Sequence, residues 1–124
     1  MTHSTIALQT STPVLDQSRL LEQFGDEPEV IAELRDLFLE DLPQQIASMR
    51  LGVASGDCDG VARACHSLKG ASGTFGAERV FRVTQALEQL AREGKLEEVT
   101  LGLDLLQEEL EKVVAVIHSL KPGE

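Results

Sequence analysis

Apolar residues recur along this chain at steps of three and four, the spacing that gathers side chains on one face of an α-helix. Val30, Ile31, Leu34, Leu37, Phe38, Leu42, Ile46, Met49 and Val53 form one stripe, and Val61, Cys65, Leu68, Ser72 and Phe75 form a second. Val80, Phe81, Thr84, Leu87, Leu90 and Ala91 carry a third over residues 78–93. Val99, Leu103, Leu106, Leu110, Val113, Val114 and Ile117 carry a fourth over about 97–120. No segment alternates with the period of a strand. Leu20, Leu21 and Phe24 lie between Asp16, suited to an N-cap, and Gly25, suited to a helix stop, which predicts a short extra helix before the long ones.

The breaks between stripes carry turn chemistry. Asp26 is expected to open the first long helix, with Glu29 at capping-box spacing and Pro28 in the first turn, where a missing N–H costs nothing. Pro43 falls inside that stripe; an interior proline costs about 3 kcal/mol, but the apolar pattern continues past it, so a bend near Leu39–Pro43 is expected rather than a break. Ser55-Gly56-Asp57, Gly76 and Gly94 mark the remaining corners. Four long amphipathic helices joined by short turns have one economical arrangement. The expected fold is all-α, an antiparallel up-and-down four-helix bundle over residues 14–121, with residues 1–13 as a disordered leader.

Composition narrows the possible partners. At 124 residues the chain suits one core without a separate nucleotide-binding domain, and four Phe with no Trp or Tyr leave that core to aliphatic residues. The formal net charge of −10 argues against nucleic acid or an anionic membrane as partner, since both are held by Lys and Arg. The leader has no basic n-region, and no apolar run approaches the roughly 20 residues of a spanning helix, so a soluble, cytoplasmic protein is expected. Cys58 and Cys65 stand two helical turns apart, about 10 Å, too far for a disulfide. With no second cysteine pair and no finger-like histidine spacing, neither supports a zinc site, and both are expected to be buried thiols.

The second stripe holds the chemistry. With Val61 set at zero on a 100° wheel, the core residues of the stripe fall within about 40° of it, while His66 falls near 140°. Its imidazole is therefore expected in solvent. Around it on that face stand Ala62, Lys69, Gly70 and Gly73, and only Lys69 has bulk. An interior glycine costs roughly 1 kcal/mol against alanine, so small residues kept together around an exposed ring suggest a surface left clear for approach. An exposed imidazole is largely neutral near pH 7 and can act as a nucleophile, and a cation one turn away can stabilise an anionic group arriving on it.

Competing chemistries fit less well. Lys69-Gly70-Ala71-Ser72-Gly73 has the wrong order for a phosphate-cradling loop, and no strand precedes it. Ser67 diverges from His66 around the helix, so no hydrolytic triad forms locally. His66 has Lys69 and Gly70 where a metal site would need ligands at i+3 or i+4. His3 and His118 are expected in the leader and on the surface. A passive helical bundle that receives a partner on its glycine face, without chemistry, is the remaining alternative.

The run His66-Ser67-Leu68-Lys69-Gly70, followed by Phe75-Gly76-Ala77, resembles the signature of the histidine-containing phosphotransfer (HPt) family, His-x-Leu-Lys-Gly-x-x-x-x-hydrophobic-Gly-Ala. Residues 20–43 look like the family's first helices and 86–98 like its helix after the site, so the likeness covers about 14–120. It implies a stand-alone phosphocarrier, without kinase activity, that accepts a phosphoryl group on His66 from a receiver-domain aspartyl phosphate and passes it to another receiver. The receivers would belong to response regulators or a hybrid histidine kinase, and a monomer is expected. No cofactor is expected on this chain, with Mg²⁺ on the receiver. By the same resemblance Lys69 would stand beside the phosphoryl group, Gly70 would open access to the ring, and a supporting residue would come from the next helix at Glu88, with Gln85 and Gln89 close enough to compete. Arg63, Lys69, Arg79 and Arg82 against Glu78 alone give residues 61–82 a local charge of +3, expected to serve as a docking rim with Ala62, Gly70 and Gly73.

Overall fold

The computed structural model describes residues 14–16 and 27–119, apart from the side chains at 28, 118 and 119. Among the described residues the elements are four α-helices: α1 (Pro28–Ser55), α2 (Cys58–Phe75), α3 (Glu78–Arg92) and α4 (Leu96–Ser119). The leader with His3, the short helix expected between Asp16 and Gly25, the Asp26 cap and the placement of His118 lie outside the described residues.

Each corner closes in the same way. Gly56, Gly76 and Gly94 take left-handed φ values of 73°, 81° and 78°, which a residue with a Cβ adopts only at a cost. At each, the glycine N–H donates three residues back and the next N–H five residues back: Asp57 to Gly52 O at 2.8 Å, Ala77 to Ser72 O at 2.9 Å and Lys95 to Leu90 O at 2.9 Å. This is the Schellman closure, and it satisfies carbonyls that a helix end would otherwise orphan. Asp57 then caps α2 by accepting from the Gly60 N–H at 3.0 Å.

Such short corners reverse the chain. Consecutive helices pack side by side and α4 returns against α1, the antiparallel up-and-down ring expected from the stripes. α1 runs unbroken through Pro43. Its N-cap is Glu27, without a side-chain cap bond, and Pro28 stands in the first turn. Met49, Val61, Cys65, Leu68, Val83, Leu87, Leu103, Leu106 and Val113 are among the fully enclosed residues, and Phe38 stacks on Phe75 with centroids 5.0 Å apart. Before α1, Leu15 enters the core and the Asp16 N–H donates to Gly76 O at 2.7 Å, tying that segment to the α2–α3 corner.

Both cysteines are free, but only Cys65 is buried as expected; Cys58, at the first position of α2, is half-buried, whereas burial, helped by the Glu88 charge, pushes the Cys65 thiol up to about 12, leaving it unreactive. Among the described residues no helix is long and apolar enough to cross a membrane.

Gly52 lets α1 and α2 approach: a Cβ there would stand 2.6 Å from Cγ2 of the enclosed Val61. Gly52→Ala should lower stability in urea unfolding by about 1–2 kcal/mol despite the better helix propensity of alanine. A stabilised variant would show that the two helices do not depend on that approach.

Candidate functional site

α2 is covered on both flanks and open between them. Its buried residues are Val61, Ala62, Cys65, Leu68, Ser72 and Phe75. On one flank the Gln45 amide of α1 donates to Ser67 Oγ at 3.3 Å. On the other, α3 lies against Lys69 and Gly73. His66 stands at the edge of the open arc, its side chain 67% exposed, with Arg63 and Gly70 beside it in solvent. A Cβ added to Gly70 would meet no atom within 4 Å, so the approach past this residue is clear.

Glu88 of α3 supports the ring from below. Its side chain is only 9% exposed, and its Oε2 lies 3.2 Å from His66 Nδ1. Lys69 Nζ lies 2.9 Å from Oε1, and Arg92 approaches Oε2 with Nη2 at 2.7 Å and Nε at 3.2 Å. Burial would push the Glu88 carboxyl up, but hydrogen bonds from Arg92 and Lys69, with the Lys69 and His66 charges, outweigh it and bring the value down to about 2. An ionised carboxylate can only accept, so a neutral His66 donates its Nδ1–H and keeps the lone pair on Nε2. The arrangement is an exposed nucleophilic nitrogen on a ring fixed from the protein side, with a lysine within reach.

Three residues expected on the open surface belong elsewhere. Ala62 is 2% exposed, because packing on both flanks widens the buried arc of α2 beyond the apolar stripe. Gly73 lies under Phe81, where a Cβ would come within 3.3 Å of the ring, so its small size serves helix packing and not access to His66. Arg79 is no rim charge: its side chain is 14% exposed and it grips the buried Glu109 of α4 through Nε at 2.7 Å and Nη2 at 2.9 Å. Arg82, 40% exposed, stands 3.8 Å from Glu78. Gln85 is exposed and Gln89 bonds Glu93 at 2.8 Å; the contact with the ring is made by Glu88.

The Hpt domain profile matches residues 33–121, more than half of the chain. The chain belongs to the Hpt domain family. This Hpt chain is 26% identical to the histidine-containing phosphotransfer protein B (HptB) of Pseudomonas aeruginosa PAO1. That structural alignment has a TM-score of 0.76 and covers 88% of this chain and 95% of that one. It is also 25% identical over 112 residues to the phosphorelay intermediate protein rdeA of Dictyostelium discoideum, covering 90% of this chain and 44% of that protein. It thus spans less than half the length of that relative.

Arg92 is the contact that sequence reasoning on the Hpt chain missed, although its i,i+4 spacing from Glu88 was a usable signal. Glu88, which the resemblance already assigns, also follows from spacing, since His66 and Glu88 each lie eleven residues from Ala77, where the α2–α3 pair reverses.

The Glu88 carboxyl sits below its ordinary 4.5 in the fold, so its contribution to stability is complete above about pH 4.5 and is lost as pH falls toward 2. Glu88→Gln has no such carboxyl. The stability of the parent relative to Glu88→Gln, from urea midpoints, should therefore decline between pH 4.5 and 2. A constant difference across that window would mean that the folded state does not hold the carboxylate ionised.

Proposed function

We propose that the chain is a phosphorelay intermediate in which His66 Nε2 accepts a phosphoryl group from a receiver-domain aspartyl phosphate and delivers it to a second receiver. The observation that carries this reading is the exposed imidazole whose Nδ1 rests on the ionised Glu88, beside Lys69 and the open Gly70. The likeness to HptB and to a phosphorelay intermediate supports it.

In the forward step the Nε2 lone pair forms the N–P bond as the bond from phosphorus to the aspartyl oxygen breaks, and the bonding pair leaves with the carboxylate. No proton need move. The ring keeps its Nδ1–H and becomes a phosphoimidazolium, whose positive charge faces Glu88, while Lys69 is the cation for the phosphoryl oxygens. Return of the group to another aspartate is the same path reversed, which suits a carrier that needs neither kinase activity nor a metal of its own. Mg²⁺ belongs to the receiver in this scheme. The exposed Arg63 and the partly exposed Arg82 favour an acidic receiver pocket against the chain's overall negative charge.

His66→Gln keeps a polar side chain of similar reach and removes the nucleophile. The variant should still fold, at a cost of about 1–2 kcal/mol for the hydrogen bond to Glu88. Incubated with phosphorylated receivers of its own organism, the parent should gain an acid-labile phosphoryl group by mass spectrometry and the variant none. Equal labelling of both, or none of the parent with every receiver, would contradict the reading; in the second case the chain is a passive interaction module.

A further inference from the structure

The His66 ring and the two cations beside Glu88 do not divide it evenly. Oε2 takes both the His66 ring at 3.2 Å and the Arg92 guanidinium, with Nη2 at 2.7 Å, whereas Oε1 faces Lys69 at 2.9 Å. In the proposed transfer, a phosphoryl group on Nε2 would compete with Oε1 for the Lys69 ammonium. A carboxylate as enclosed as Glu88 is strongly destabilised if its cation departs and nothing replaces it.

Resting on the phosphotransfer reading, we infer that Arg92 is a positioning residue. It holds Glu88 by the oxygen that also takes the ring proton, so Lys69 can leave for the phosphoryl group while the ring stays fixed. The local structure suits this division. Glu88 and Arg92 share α3 at i,i+4, the glutamate on the N-terminal side, and Arg92 lies in the last turn, where a cation is favoured by the helix dipole. Its planar fork brings two N–H groups to one oxygen with little further ordering. Lys69 reaches Glu88 from the other helix on a flexible stem, the better candidate to move. Two cations against one carboxylate also leave a net positive charge beside Nε2 for the arriving group.

Arg92 is 56% exposed, so the alternative is a simple docking contact with the receiver. The two roles separate in measurement. A positioning role predicts that Arg92→Ala, its fold checked by circular dichroism, lowers the limiting single-turnover transfer rate about tenfold or more, with little change in half-saturating receiver concentration. It also predicts that ¹⁵N signals of the unphosphorylated, neutral His66 ring shift from the Nδ1–H form toward Nε2–H. Arg92→Lys, which keeps the charge but not the fork, should recover part of both. Unchanged ring signals with only a raised half-saturating concentration would overturn the inference and make Arg92 a docking residue. If the parent accepts no phosphoryl group, the phosphotransfer reading fails on that result alone, and the ring spectra of parent and variant still decide whether Arg92 holds Glu88 in place.

Discussion

The site depends on one carboxylate held between two helices. Burial works against the Glu88 charge, and the carboxylate stays ionised because Arg92 from its own helix and Lys69 from α2 outweigh that effect. Through that charge the ring of His66, otherwise an exposed side chain free to rotate, acquires a fixed orientation and a defined proton. Exposure serves access and the carboxylate serves order, and the proposed transfer on His66 would need both.

That carboxylate faces His66 only because α3 returns along α2 in one register. Gly76 in the left-handed region makes the corner, the Asp16 amide bonds its carbonyl, and Gly73 admits the Phe81 ring between the helices. Further up, Arg79 fastens the start of α3 to Glu109 of α4, a residue 1% exposed that also takes Lys112 at 3.2 Å. Hydrogen bonding by Arg79 holds the Glu109 carboxyl below its ordinary value, against the effect of burial. The charges of the α2–α3 region therefore act mostly inward, as supports for the bundle and for the ring.

Much of the fold was legible because the relevant physics is local. Apolar stripes at helical spacing gave the four helices, and the glycines at 56, 76 and 94 gave their ends, since each corner needs a positive φ. The exposure of His66 followed from one helix's wheel. What the wheel could not give was anything owed to a neighbouring helix. Ala62 looked available because α2 was considered alone, Gly73 looked like surface because Phe81 is eight residues away in sequence, and Arg79 looked like a free charge because Glu109 is thirty residues on. Glu88 lay between the two cases: counting outward from the Gly76–Ala77 corner selects it over Gln85, but only once the antiparallel pairing is accepted.

In the proposed transfer, Glu88 fixes which nitrogen of His66 is free to react. Phosphorylating ¹⁵N-histidine-labelled protein and measuring ³¹P–¹⁵N coupling tests it most directly, because the coupling identifies the nitrogen bonded to phosphorus. Coupling to Nε2 of His66 is expected, with Nδ1 still protonated. A phosphoryl group on Nδ1, or on any residue other than His66, would contradict it.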